Sequence, residues 1–121
     1  ATVIEVTRRG VAATGIDAMA DRLDLPRAQL LVYANIPLST AERRIRNKEL
    51  LSKEETDRLV RIAKATEKAA AVFEDAENGK AWLKRPIPSL AGAVPLSLLD
   101  TAEGYDLVMR TLDKIQYGVF A

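Results

Sequence analysis

Two side chains that carry much of protein chemistry are missing from this sequence. It contains no cysteine, which excludes disulfides, thiol nucleophiles and thiolate-bound metals. It also contains no histidine, which is the usual general base near neutral pH and the commonest metal ligand. We therefore expect no metal site, no cofactor and no enzymatic activity.

Carboxylates are the remaining candidates for acid–base catalysis. Asp100, Glu103 and Asp106 cluster around the start of a predicted helix. Negative side chains at that position stabilise the helix dipole and cap. This structural role explains the cluster, so a small enzyme is the weakest of the functional hypotheses.

Long hydrophobic runs are missing as well. No apolar segment approaches the roughly 18–20 residues that span a bilayer, and no basic-then-apolar leader opens the sequence. We expect a cytoplasmic protein that does not contact a membrane. Apolar residues still make up 48% of the 121 residues and charged residues 29%, which is typical of a domain with a core and a polar surface.

The net charge of +1 conceals an uneven distribution. Residues 1–42 carry four basic and five acidic side chains, and residues 43–64 carry eight basic and four acidic ones. Residues 65–121 carry six basic and eight acidic side chains. A basic middle and an acidic end indicate two different partners.

Helix signals predict an all-α fold of six or seven helices, whereas β-branched runs are short and hairpin signals are missing. Pairs that can form helix caps predict the starts of three helices, at Thr14–Asp17, Ser39–Glu42 and Ser52–Glu55. The first of these should run to about Leu23 and the second to about Lys48. Pro26 opens a short helix between them that should end near Asn35, before Pro37.

The helix that begins after Ser52 is predicted to be the longest. Apolar or small residues recur there at three- and four-residue steps, at Leu59, Ile62, Thr66, Ala69 and Phe73. Asn78-Gly79 interrupts the pattern and is the predicted boundary between two regions, 1–76 and 77–121. An irregular loop should follow from Arg85 to Pro95, and then a last helix with Val108, Leu112 and Ile115 on one face.

Two short helices joined by a brief turn, the second of them basic, form the pattern of a DNA-binding helix-turn-helix. Arg27–Asn35 would be the supporting helix and Thr40–Lys48 the recognition helix. Thr40, Arg43, Arg44 and Asn47 share one helical face, where arginine can bind guanine and asparagine adenine. Arg46 and Lys48 suit backbone phosphates, and Arg27 completes the predicted DNA-binding set. A solvated charged helix, or a helix-turn-helix that only packs, explains the same pattern.

The last forty residues contain a more specific order of residues. They read Ala81-Trp82-Leu83-Lys84-Arg85-Pro86, then Pro88-Ser89-Leu90-Ala91-Gly92, then Pro95-Leu96, Asp100-Thr101-Ala102-Glu103-Gly104 and a Tyr117-Gly118-Val119-Phe120-Ala121 end. This order resembles the C-terminal toxin-binding domain of the Xre/MbcA/ParS antitoxin family. With the helix-turn-helix and the Leu51–Leu59 segment upstream, the resemblance covers roughly residues 15 to 121.

The resemblance implies an antitoxin that neutralises a RES-domain toxin, an enzyme that depletes or uses NAD, by blocking the entrance to its NAD pocket. It also implies repression of the antitoxin's own operon through operator DNA. A homodimer and higher assemblies with the toxin are expected. The alternative function is a stand-alone helix-turn-helix repressor whose C-terminal half only dimerises.

Eleven residues are predicted to bind the toxin. They are Trp82, Lys84, Arg85, Pro86, Arg110, Lys114, Tyr117, Gly118, Val119, Phe120 and Ala121. The apolar end has little reason to stay exposed, and burying Val119 and Phe120 in a partner cleft would contribute about 1.5–3 kcal/mol each. Packing of this tail on its own core stays open as an alternative, as does a purely structural role for Trp82.

Overall fold

The computed structural model describes residues 2, 4 and 10–118. Its α-helices are α1 (Gly15–Arg22), α2 (Arg27–Ala34), α3 (Leu38–Arg46), α4 (Lys53–Val72), α5 (Ala76–Lys84) and α6 (Ala102–Gln116), with 3-10 turns at Pro88–Leu90 and Pro95–Leu98. Extended pairing in the described residues is limited to an isolated bridge between Ala12 and Leu50. The predicted all-α fold is confirmed. None of the helices described is long and apolar enough to cross a membrane.

The chain divides into two compact units, Ala1–Val60 and Arg61–Ala121, and the division falls inside α4. In the first unit α1 contacts α2, and α2 contacts α3. Its largest fully buried side chains are Ile16, Leu23, Leu30, Leu31 and Thr56. α1 buries Ile16, Met19 and Ala20, and α2 buries Leu30, Leu31 and Ala34. Steps of three and four residues within each set place the buried side chains on one face of each helix.

Two of the three predicted caps do not form. Thr14 precedes α1 but makes no side-chain cap bond. Pro37 is the N-cap residue of α3, which places Ser39 inside the helix instead of before it. The proline ring has no oxygen that could accept from the first N–H groups of α3, so the helix starts without a side-chain cap bond.

The Ser52–Glu55 capping box is present as predicted. The Ser52 N–H donates to Glu55 Oε1 at 2.8 Å, and the Glu55 N–H donates to Ser52 Oγ at 3.1 Å. The predicted stripe along α4 is buried at Leu59, Ile62, Thr66 and Ala69. Phe73, the last member of that stripe, is half-buried and lies just beyond the end of the helix.

The second unit builds its core around the 3-10 turn at Pro95–Leu98, which contacts both α5 and α6. Its buried side chains include Ile62, Leu83, Leu96, Leu99, Val108 and Leu112. Thr101 is the N-cap of α6, and its side chain accepts a hydrogen bond from the Gly104 N–H at 3.0 Å. Val108 and Leu112 share the buried face of α6, as the sequence predicted, and Ile115 is half-buried.

Asn78-Gly79 does not interrupt the helical structure, contrary to the prediction. Both residues lie inside α5, which begins at Ala76 behind the cap residue Asp75. The break falls four residues before Asn78, where Glu74 takes a φ of 53°. Gly79 is buried, and a Cβ there would lie 2.8 Å from backbone atoms of Ala69 and Ala70, so its glycine permits close helix packing. The functional boundary after residue 76 stays a prediction.

Candidate functional site

The turn between α2 and α3 is short and firmly held. Asn35 ends α2 in the left-handed conformation with a φ of 54°, which asparagine tolerates better than most residues. Arg58 of α4 donates from Nε to the Ala34 carbonyl at 2.7 Å and from Nη2 to the Asn35 carbonyl at 3.2 Å. These bonds satisfy carbonyl groups that the end of α2 leaves unpaired. The arrangement is a helix-turn-helix with a rigid turn.

α3 presents one apolar side inward and a basic side to solvent. Ala41 is fully buried and Ile45 is half-buried. Arg43, Arg46 and Lys48 are exposed, and none of their three side chains makes a hydrogen bond or ion pair within the described part of the chain. Three cationic groups on one short segment are therefore available to an anionic partner.

The other predicted DNA-binding residues are more constrained. Thr40 is half-buried. Asn47 is exposed and donates from Nδ2 to Glu49 Oε1 at 3.3 Å. Arg27 forms a two-point bond with Asp17, from Nε at 2.8 Å and from Nη2 at 2.7 Å. This bond from the Arg27 guanidinium holds the pKa of Asp17 below its ordinary value of 3.8, although partial burial works in the opposite direction.

Arg44 does not project with Arg43, contrary to the prediction. Its Nη1 donates to Glu55 Oε1 at 2.5 Å and to the Leu50 carbonyl at 3.3 Å. Its side chain is 20% exposed and that of Glu55 11%. A carboxylate eleven residues away turns Arg44 towards the start of α4, and helical spacing alone does not contain this information.

The sequence analysis missed an apolar groove beside the turn. It has a volume of about 510 Å³ and is lined by Ala28, Leu31, Val32, Asn35, Ile36, Pro37 and Leu38. Val32 is 70% exposed and Leu38 44%. Single apolar residues on a short helix give no signal in a sequence, because most of them pack inward.

Trp82 belongs to the core of the second unit and not to its surface. It is 3% exposed, and its ring lies 6.1 Å from that of Phe73, centroid to centroid, at a tilt of 43°. Its burial removes Trp82 from the surface that a toxin could contact, which corrects the prediction. The structural role left open for this residue is the one that the fold supports.

Three predicted toxin-binding residues share one face of α6 and its end. Arg110 and Lys114 are exposed and Tyr117 is 76% exposed. Leu107, which the sequence analysis missed, is 41% exposed and continues the same face by its three-residue spacing from Arg110. We call Leu107, Arg110, Lys114 and Tyr117 the outer α6 face. An exposed leucine and tyrosine around two cations form a surface suited to a protein partner.

The remaining predicted toxin-binding residues lie elsewhere or outside the described residues. Lys84 is half-buried at the end of α5, whereas Arg85 and Pro86 are exposed in the loop that follows. Gly118 has a φ of 69°, a conformation that favours glycine. Val119, Phe120 and Ala121 lie outside the described residues.

Arg61 holds the segment that leads into α6. It donates from Nε to the Leu99 carbonyl and from Nη2 to the Asp100 carbonyl, both at 2.9 Å. The guanidinium groups of three arginines thus form hydrogen bonds within their own unit, at Arg44, Arg58 and Arg61. Three of the eight cations in residues 43–64 therefore bond within the chain itself, and the other five are exposed, at Arg43, Arg46, Lys48, Lys53 and Lys64.

Comparison with known proteins identifies both units. Residues 2–64 match the model of the antitoxin Xre-like helix-turn-helix domain. Residues 68–118 match the model of the antitoxin Xre/MbcA/ParS C-terminal toxin-binding domain. The chain belongs to the Xre/MbcA/ParS family of antitoxins. The predicted family and the predicted order of its two domains are confirmed.

Individual relatives have the same assignment. A protein of Sphingobium sp. strain YBL2 named "Prs ADP-ribosylating antitoxin" is 31% identical over 127 residues, which cover 98% of this chain and 80% of the relative. An "Antitoxin Xre" of Pseudomonas putida is 39% identical over 69% of this chain and 52% of the relative. An "Antitoxin Xre" of Photorhabdus laumondii is 27% identical over 94% of this chain and 78% of the relative. The protein is therefore an antitoxin of a toxin–antitoxin system.

Proposed function

We propose that this antitoxin neutralises a RES-domain toxin that uses NAD, and that it represses its own operon by binding operator DNA. The observation that carries the first part is the match of residues 68–118 to a toxin-binding domain. The Sphingobium relative is named "Prs ADP-ribosylating antitoxin", and ADP-ribosylation takes its ADP-ribose from NAD. An NAD-using toxin is consistent with that chemistry.

The outer α6 face is the proposed docking surface for the toxin. Leu107 and Tyr117 supply exposed apolar area, and Arg110 and Lys114 supply positive charge for an acidic rim. Arg85 and Pro86 would extend the contact from the loop after α5. The end of the chain, Val119–Ala121, would enter the cleft through which NAD reaches the active site.

The solvent-facing side of α3 is the proposed DNA-binding surface. Arg43 would contact a base edge or a phosphate, and Arg46 and Lys48 would neutralise phosphates. Thr40 in the first turn of α3, and Arg27 and Asn47 at the two ends of the helix-turn-helix, would add further contacts. A homodimer would present two such helices to two half-sites of one operator.

Binding and inhibition of the neighbouring gene product test the toxin-neutralising function. The tagged antitoxin should retain the protein encoded beside its own gene, and the complex should consume NAD at least tenfold more slowly than the free partner. A partner that binds but keeps its full rate of NAD consumption would contradict blockage of the active site. A neighbour that neither binds nor consumes NAD would leave a repressor whose C-terminal half has another task.

Arg43→Gln tests the DNA-binding surface. This substitution should weaken binding to a duplex from upstream of the antitoxin gene about tenfold, and should lower the slope of log K against log salt by about 0.9 if a phosphate contact is lost. Arg85→Gln removes an exposed guanidinium from the second unit and is the matched control. Equal effects of both substitutions in gel shifts would mean that net charge alone, and not α3, binds DNA.

A further inference from the structure

A single arginine joins the recognition helix to the helix that follows it. Arg44 lies in the last turn of α3, and its Nη1 bonds Glu55 Oε1 at 2.5 Å in the first turn of α4. The same nitrogen donates to the Leu50 carbonyl at 3.3 Å, inside the connection between the two helices. The guanidinium therefore contacts both the connection and the helix beyond it.

The position of the Glu55 side chain is set by hydrogen bonds other than the one to Arg44. The residue is 8% exposed, and its Oε1 accepts the Ser52 N–H at 2.8 Å while its own N–H donates to Ser52 Oγ at 3.1 Å. The capping box thus sets the position of the carboxylate relative to the axis of α4. An acceptor held this firmly can determine where the arginine, and the helix that carries it, must lie.

Arg44 has no low-cost route to an external phosphate. Leaving Glu55 would strand a mostly buried carboxylate without its cation, and such a group carries a large desolvation cost. Its neighbours Arg43 and Arg46 are exposed and have no partner in the described residues. The three arginines of α3 therefore divide into two that can meet a ligand and one that cannot.

We propose that Arg44 and Glu55 are positioning residues, which set the angle of α3 for DNA and do not contact DNA themselves. This inference rests on the proposed DNA-binding function of α3. It assigns the task of base and phosphate contact to Arg43, Arg46 and Lys48, and it makes a buried carboxylate of α4 necessary for tight DNA binding.

Electrostatics and positioning predict opposite results for Glu55→Gln. Glutamine keeps the capping-box geometry but removes the negative charge that holds Arg44. By charge alone, loss of an anion from a DNA-binding unit should strengthen binding. Positioning predicts binding weakened by about 5- to 30-fold. The matched control is Glu54→Gln, which removes the same charge from an exposed neighbour in the same helical turn and should leave affinity equal or slightly higher.

Arg44→Gln separates a positioning arginine from one that contacts phosphate. It should weaken binding to the upstream duplex as much as Glu55→Gln does, with the salt slope unchanged, whereas Arg43→Gln should lower that slope. The double variant Arg44→Gln with Glu55→Gln should be no weaker than either single variant, because both remove one interaction. Circular dichroism and thermal unfolding of each variant establish that the compared proteins are folded.

The outcomes distinguish the positioning role from the function on which it rests. Three results would each overturn the positioning role alone: unchanged affinity of Arg44→Gln, weaker binding of Arg44→Gln with a lowered salt slope, or tighter binding by Glu55→Gln. If wild type and Arg43→Gln bind the upstream duplex no better than a scrambled duplex, the DNA-binding function fails and the positioning role with it. If a variant proves unfolded, Arg44→Lys, which keeps the charge but not the planar group, should still bind more weakly with an unchanged slope, and unaltered affinity would refute the proposal.

Discussion

Gly104 shows how one missing side chain determines a local structure. It is the third residue of α6, and a Cβ on it would lie 1.8 Å from the Leu98 carbonyl oxygen. The obstacle is backbone and cannot rotate away. The Gly104 N–H also donates to Thr101 Oγ1 at 3.0 Å, so any displacement of Gly104 disturbs the cap of the helix.

Gly104→Ala should therefore lower the free energy of unfolding by about 3 kcal/mol, the upper part of the usual range for overpacking. Gly15→Ala is the matched control, because Gly15 opens α1 and a Cβ there would meet only a methyl group of Val11, at 3.1 Å. Its gain in helix propensity should keep the change within about 1 kcal/mol. Urea denaturation of both variants measures the difference. If Gly104→Ala lowers the free energy of unfolding by as little as Gly15→Ala does, the Leu98 carbonyl must move aside to make room for the Cβ.

At the scale of single helices, the position at which the backbone starts a helix determines which residue caps it, and the sequence pattern predicts that residue only in part. The Ser52–Glu55 box was predicted and is present. The Ser39–Glu42 box has the same residue types but fails, since Pro37 starts α3 earlier. Asp75 caps α5 and was missed. A local pattern indicates that a helix begins nearby, but neighbouring residues decide which side chain stands at the cap position.

The candidate DNA-binding site was likewise predicted in part from the sequence. Exposure of Arg43 and Arg46 follows from helical spacing, because Ala41 and Ile45 take the inward side. Lys48 is exposed for a different reason, since it lies beyond the end of α3 with a φ of 56°. The inward turn of Arg44 depends on Glu55, eleven residues away, and a helical wheel contains no such partner. Gly79 illustrates the same limit, since a glycine that ends a helix and a glycine that lets two helices approach look alike in a sequence.

Alanine substitutions at the two helix starts, Thr14 and Asp75, should have different effects on stability. Asp75 accepts hydrogen bonds from the Glu77 N–H at 2.8 Å and the Asn78 N–H at 3.1 Å. Asp75→Ala should cost about 1 kcal/mol, and Asp75→Asn much less. Thr14→Ala should change the free energy of unfolding by no more than about a few tenths of a kcal/mol, because Thr14 makes no cap bond. Thermal unfolding tests both, and a larger loss for Thr14→Ala would contradict the observed start of α1.

The molecule as a whole keeps its two proposed interfaces in different units. The units Ala1–Val60 and Arg61–Ala121 correspond to the family matches at residues 2–64 and 68–118. The exposed cations of α3 belong to the first unit and the outer α6 face to the second. Since each surface is built from one unit, DNA binding and toxin binding should be separable by mutation.

Removal of Tyr117–Ala121 tests this separation together with the role of the tail. The truncated antitoxin should bind its toxin at least tenfold more weakly, because Tyr117 is 76% exposed and apolar side chains buried in a partner contribute about 1.5–3 kcal/mol each. Its affinity for the upstream duplex should not change. Arg43→Gln should do the reverse. Calorimetry with the toxin and gel shifts with DNA, on the same preparations, measure both affinities. Full neutralisation by the truncated chain would refute insertion of the tail into the toxin, whereas loss of both activities in either variant would refute independent surfaces.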